Sequence, residues 1–148
     1  MPLRTGLALS LATALTGVTL ALAPGAAAED VAAQAGTCTT WKEYYVQSDI
    51  YLRQPVNGAT GSRNCTMGVG SQGPAVRQLQ LAISRCYSMP IAADGEYGPD
   101  TEAAVEFVQR NEGATVDGDY GPETRRAMEW PNHRSPEGGW TGLCSEGY

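Results

Sequence analysis

The stretch "DGEYGPDTEAAVEF", residues 94–107, carries the phrase Asp-Gly-x-Tyr-Gly-Pro, and "DGDYGPETRRAM", residues 117–128, carries it again. A phrase spelled twice repeats either a chemistry or a piece of architecture. Turn chemistry accounts for its letters: Asp94 and Asp117 head Asx-turns, Gly95 and Gly118 supply positive φ, and Tyr97 and Tyr120 tuck a ring under the next helix. Gly-Pro opens that helix, with proline at the first position, where its missing N–H costs nothing. A third pair, Gly73-Pro74, opens "GPAVRQLQLAISRCY". Gly-Pro at residues 73, 98 and 121 therefore starts three successive helices, an internal repeat of a helix-plus-loop unit.

Apolar spacing agrees with that reading. Val76, Leu79, Ile83 and Cys86 form one stripe of the first helix, and Ala104, Val105 and Val108 one face of the second, which Gly113 stops. In the third, Ala127 and Met128 face inward and Pro131 closes the helix. The chemical reading of the phrase fares worse. Asp117-x-Asp119 resembles the start of a calcium loop, but an EF-hand requires a ligand oxygen where Gly121 stands and a glutamate where Met128 stands. No metal or cofactor is expected.

The chain of 148 residues opens "MPLRTGLALSLATALTGVTLALAPGAAAED". One basic residue, Arg4, precedes an apolar run from Leu7 to Ala23, and Ala26-Ala27-Ala28 offers a small-residue cleavage site. The run is shorter than the roughly 20 residues of a spanning helix. The expectation is a signal peptide over residues 1–28 and a mature protein from near Glu29. No cysteine closes the run and "GGWTGLCSEGY" has no apolar tail, so the expected product is exported, soluble and free of the membrane after cleavage. Losing Arg4 takes the formal net charge from −6 to −7. An acidic chain of this kind is no partner for nucleic acid or anionic lipid, which call for a basic patch.

Cys38, Cys65, Cys86 and Cys144 give an even count in a small exported chain, which reads as two disulfides. Three pairings are open; Cys38 with Cys65 and Cys86 with Cys144 is favoured because each bridge then closes a coherent segment. A zinc site fails on spacing, since no two cysteines lie two to four residues apart and His133 is the single histidine. Before the repeat, "TWKEYYVQSDIYLRQPVNGATGSRNCTM" reads as one or two short strands near residues 42–47 and 50–54, with Pro55 holding the second at an edge or ending it.

The combination of motifs resembles a known family. Gly70, Gly73, Val76, Leu79 and Gln80, then Asp94 to Thr101, then Ala104, Val105, Val108 and Gln109, then the second phrase from Asp117, are similar to the type-1 peptidoglycan-binding domain, a three-helix module of bacterial and phage cell-wall enzymes. The likeness covers about Gly68 to Trp130, roughly half of the mature chain. Cys86-Tyr87 with Cys144 resembles a disulfide-bearing subtype of exported actinobacterial proteins. The implied fold class is mainly α: a three-helix bundle over residues 68–130, with a short β-containing N-terminal extension over 29–67, a C-terminal extension over 131–148 tied by a disulfide, and two disulfides in all.

The implied function is non-catalytic binding of peptidoglycan, through its glycan or its stem peptide, by a monomeric protein that is secreted, extracellular or associated with the wall. Candidate ligand-binding residues are Gln80 and Gln109, whose amides reach either a neighbouring loop or a ligand, Tyr97 and Tyr120, whose rings either pack or stack on sugar, and Arg77 and Arg125, which suit stem-peptide carboxylates. Arg110 and Arg126 share that last role. No catalytic residues are expected. His133 stands without a nucleophile beside it, and the carboxylate pairs Glu96 with Asp100 and Asp119 with Glu123 sit at helix starts, where the helix dipole favours acids. The alternative is a secreted interaction or inhibitor-like protein that presents residues 41–56 to a protein partner.

Overall fold

The computed structural model describes residues 35–147. The expected signal peptide and its cleavage point lie outside the described residues. Three helices begin where the Gly-Pro pairs place them: α1 (Pro74–Cys86), α2 (Pro99–Glu112) and α3 (Pro122–Ala127). No side chain caps their starts; instead the carbonyls of Gly73, Gly98 and Gly121 accept the first helical bonds, from Arg77, Glu102 and Arg125. α2 stops at Gly113 in the left-handed conformation, φ 70°. One stripe of α1 (Val76, Leu79, Ile83) meets Ala104, Val105 and Val108 of α2 in a common core with Tyr97, Tyr120, Met128 and Trp130.

The expectation of a mainly α three-helix bundle is corrected by the rest of the chain. α3 is only 6 residues long, and strands β2 (Thr40–Tyr45), β3 (Ile50–Val56), β5 (Glu129–Arg134) and β6 (Gly139–Glu146) form an antiparallel sheet in the order β2-β3-β5-β6. Two short strands, β1 (Gly36–Thr37) and β4 (Cys65–Thr66), pair in parallel beside it. The helices therefore share the fold with a sheet that joins segments from both sides of them in sequence. Leu52 of β3 belongs to the core cluster, and β3 is buried on both faces apart from Arg53.

Pro131 does not close a helix; it lies inside β5. α3 has already ended at Ala127, because Met128 turns to extended backbone (φ −79°, ψ 156°). The proline is tolerated because the β3–β5 ladder runs only from Ile50↔Arg134 to Leu52↔Asn132, and the β5–β6 register shifts between Pro131 and His133. Nor does Pro55 hold β3 at an edge or end it: β3 is interior and runs on to Val56, and Pro55 is accommodated opposite Trp41, beyond the reach of β5.

Two disulfides, Cys38–Cys65 and Cys86–Cys144, brace this arrangement. The second joins the end of α1 to β6. Beside it the Tyr87 hydroxyl accepts a 2.8 Å bond from the Glu129 N–H, fixing the start of β5. No helix among the described residues is long and apolar enough to cross a membrane.

His133 sits in the middle of the sheet, 2% exposed, opposite Tyr51 and stacked on its ring at 5.5 Å. Its Nδ1 lies 3.1 Å from the Gly138 carbonyl oxygen, which only accepts, so Nδ1 carries a proton. Burial holds the imidazole below its ordinary pKa; the Gly138 bond opposes this, and the charges of Arg53 and Arg85 reinforce it. A depressed histidine leaves stability intact above its unfolded value, about 6.5, and removes it as pH falls from there through the folded value. Denaturant titrations between pH 7 and pH 5 should show declining stability in the parent, and a shallower slope in His133→Gln. Equal slopes would remove His133 from the account, and no other histidine is present to replace it.

Candidate functional site

The repeated phrase is held by a repeated latch. Gln80 of α1 directs its Nε2 at Asp94 Oδ1 (2.8 Å), the Glu96 carbonyl (3.0 Å) and Thr101 Oγ1 (3.0 Å), while its Oε1 accepts the Gly95 N–H (2.9 Å). Gln109 of α2 does the same one unit later, with Asp117 Oδ1 (2.7 Å), the Asp119 carbonyl (2.9 Å) and Thr124 Oγ1 (3.0 Å), and accepts the N–H groups of Asp117 and Gly118. Both glutamines are 1% exposed. Each ties its own helix to the next turn and to the first turn of the next helix.

Asp94 and Asp117 cap their turns by accepting the N–H two residues on, from Glu96 (2.9 Å) and Asp119 (3.0 Å). Gly95 has φ 82°, and a Cβ there would come within 3.2 Å of the Gly73 carbonyl oxygen, so only glycine suits the turn. The chain before α1 threads past both turns. Met67 and Tyr120 exchange backbone bonds of 2.9 and 2.8 Å; Tyr97 donates to the Ser71 carbonyl and accepts from Gly70. The Tyr97 hydroxyl donates to the Gly118 carbonyl at 2.8 Å, locking one phrase to the other.

Of the candidate ligand-binding residues, five lie in this interior. Gln80, Gln109, Tyr97 and Tyr120 are buried as described, and Arg125 is 5% exposed, its pKa pushed down first by burial and then by the charge of Arg63. Arg77, Arg110 and Arg126 are exposed instead, Arg110 being ion-paired with Glu106 at 3.2 Å. Arg77 donates its Nε–H to the Ala93 carbonyl at 3.2 Å and lines an open cleft of about 560 Å³ at the start of α1. Gln72 to Pro74, Gln78, Leu81 and Asp94 to Glu96 line that cleft as well, together with Trp41 of β2.

The electrostatics of the cleft are mixed. Asp94 is held below the usual carboxylate range, first by the Glu96 N–H and then by the Gln80 amide, so it is ionised at neutral pH. Gln78 is 5% exposed and its Nε2 has no acceptor among the described residues. The Trp41 ring is braced by the Arg53 guanidinium, 4.9 Å from its centroid, and Arg53 is itself held by Glu43 at 3.3 Å and the Tyr51 hydroxyl at 3.1 Å. Trp41 and Gln78 were not singled out by sequence reasoning. Gln78 sits off the apolar stripe, and the place of Trp41 depends on a strand pairing that local pattern does not report.

The Asp119 carboxyl is pushed up by partial burial and by the neighbouring Asp117, while Glu123 Oε1 accepts bonds from the Thr115 N–H and hydroxyl. Glu123 is therefore engaged in bracing the loop after α2.

The segment that carries the latches and turns is similar to known proteins. Residues 72–128 match the family model of a putative peptidoglycan binding domain. The chain is also 35% identical, over 105 residues, to the zinc D-Ala-D-Ala carboxypeptidase of Streptomyces albus G. That alignment covers 70% of this chain and 36% of the relative, so the chain spans about a third of the relative's length, and the likeness extends beyond the matched segment. Among solved structures, a peptidoglycan-binding protein from Clostridioides difficile, determined with glutamine hydroxamate, aligns at 22% identity over 57% of this chain and 53% of that one, with a TM-score of 0.43.

Proposed function

We propose that this protein is exported and binds bacterial cell-wall peptidoglycan without turning it over, holding the polymer at the cleft beside α1. The observation that carries this reading is the cleft itself. All of its lining except Trp41 lies within a segment that matches a peptidoglycan-binding family, and it combines an aromatic side chain (Trp41), a cation (Arg77), a buried amide (Gln78) and an ionised carboxylate (Asp94). Sites for small polar ligands are built this way, with a few placed polar groups on an apolar wall. Turnover finds little support there, because a glycosidase needs a carboxylic acid that stays protonated, and Asp94 is held in the opposite state. The two disulfides suit an oxidising compartment.

The test is sedimentation of the mature protein with insoluble sacculi, with soluble fragments and new reducing ends assayed over a prolonged incubation. Retention in the pellet without release is expected, with a dissociation constant in the micromolar range or weaker, about what a small contact area supports. Release of fragments that Asp119→Asn or Glu96→Gln abolishes would make the protein an enzyme. Absence from the pellet at every salt concentration, with capture of a protein from culture supernatant, would transfer the case to a protein partner. Against that reading, Tyr51 and Leu52 are buried in the sheet, leaving Tyr45 as the large hydrophobic side chain exposed in residues 41–56.

A further inference from the structure

We propose that the cleft recognises the glycan of the polymer, through an N-acetylated amino sugar, and that Trp41, which lies outside the segment matching the family, is the platform on which the sugar ring stacks. The inference rests on the peptidoglycan reading above and adds which part of the polymer is bound and by which residues.

Three observations converge on it. Trp41 is half-buried, with Arg53 over its ring, and what remains of the indole lines the cleft. The chain Glu43–Arg53–Trp41 fixes the ring before any ligand arrives, so no rotamer freedom is lost on stacking. An aromatic face braced in this way receives the apolar C–H face of a pyranose.

The second observation is Gln78. A buried amide nitrogen without an acceptor is costly, and in a cleft wall it is a donor awaiting a carbonyl. Its terminal torsion is broad, so a modest rotation presents the N–H to the cleft. The acetamido carbonyl of an amino sugar is an acceptor of the right size, while a plain hexose has none.

The third is charge. Two exposed carboxylates, Asp94 and Glu96, line the cleft against one guanidinium, Arg77, whose Nε is already turned to the Ala93 carbonyl. A stem peptide carrying free carboxylates is repelled by that balance. A neutral sugar is not, and its hydroxyls donate to the same carboxylates.

Titration with soluble N-acetylglucosamine tetramer, and separately with a synthetic stem pentapeptide, tests the inference on the whole mature protein. The tetramer should bind with little dependence on salt, the pentapeptide should not compete, and Trp41→Ala and Gln78→Leu should each weaken the tetramer about tenfold. Trp41→Phe keeps a ring in the sheet and should retain most of the affinity, which separates a lost platform from a lost fold. Sedimentation with sacculi that the pentapeptide abolishes and the tetramer does not would overturn the glycan assignment while leaving peptidoglycan binding in place. Full affinity in Trp41→Ala and Gln78→Leu would overturn the residue assignment. Tetramer binding without sedimentation would keep the cleft chemistry and sink the wall-binding reading instead.

Discussion

Replacing Cys86 and Cys144 together by alanine is expected to lower the unfolding free energy by about 4 kcal/mol. The bridge spans 58 residues of sequence. On the chain-entropy model, a closed loop of that length withholds about 4 kcal/mol of conformational freedom from the unfolded state, against about 3.5 kcal/mol for the 27-residue loop of Cys38–Cys65. Cys86 and Cys144 are only partly buried, so their removal adds little cavity cost, whereas Cys38 and Cys65 are core residues. The folded state keeps other ties at this place: the Tyr87–Glu129 bond and the β5–β6 ladder hold the sheet to α1 without the sulfurs. Denaturant unfolding should therefore show a lower midpoint with a steeper dependence, as the unfolded chain expands. A loss below about 1 kcal/mol would defeat the chain-entropy account for this bridge.

The Cys86–Cys144 pairing is the one expected from sequence, but the sheet that it ties to α1 was not legible there. Helix starts, turn conformations and the inward tyrosines were legible because each depends on residues within a few positions: a Gly-Pro pair, an Asp two residues before the N–H that donates to it, a Tyr beside the helix it underlies. The sheet depends on Tyr51 meeting His133 and Leu52 meeting Asn132, pairings that no local period announces. "EWPNHR" gives no alternation, since Trp130 to His133 are all buried, and its proline reads as a stop unless the short β3–β5 ladder is known. The fold class shifted from mainly α for that reason. The site followed the fold. Arg77 was visible from sequence as an exposed helix residue, but Trp41 reaches it only through β2, and the partnerless amide of Gln78 is a property of packing.

Gln109→Ala should cost about 3 kcal/mol, and more than Gln80→Ala, although both glutamines occupy the same place in the repeat. Each substitution strips a donor from a carbonyl, a carboxylate and a threonine hydroxyl, and water reaches the carboxylate most readily. The difference lies in the acceptor. Gln80 Oε1 receives one N–H, from the buried Gly95, while Gln109 Oε1 receives two, from Asp117 and from the equally buried Gly118. A buried N–H left without an acceptor costs about 1–3 kcal/mol, well above the worth of an ordinary exchange of hydrogen bonds with water. Gly118 carries a further load, since its carbonyl accepts the Tyr97 hydroxyl, so loosening the second turn also loosens the first. Gln109→Glu sharpens the test. A carboxylate at that position faces Asp117 Oδ1 and the Asp119 carbonyl, both acceptors, and folds well only when protonated. Its stability should rise as pH falls through its raised folded pKa toward the unfolded value of about 4.3, opposite to the trend set by His133. Chemical denaturation gives the free energies, and hydrogen exchange at the Asp117 and Gly118 amides shows where they act. A Gln109→Ala loss smaller than that of Gln80→Ala, or unaltered exchange at Gly118, would mean that the second turn is held by Tyr120 and the chain through Met67 rather than by the latch.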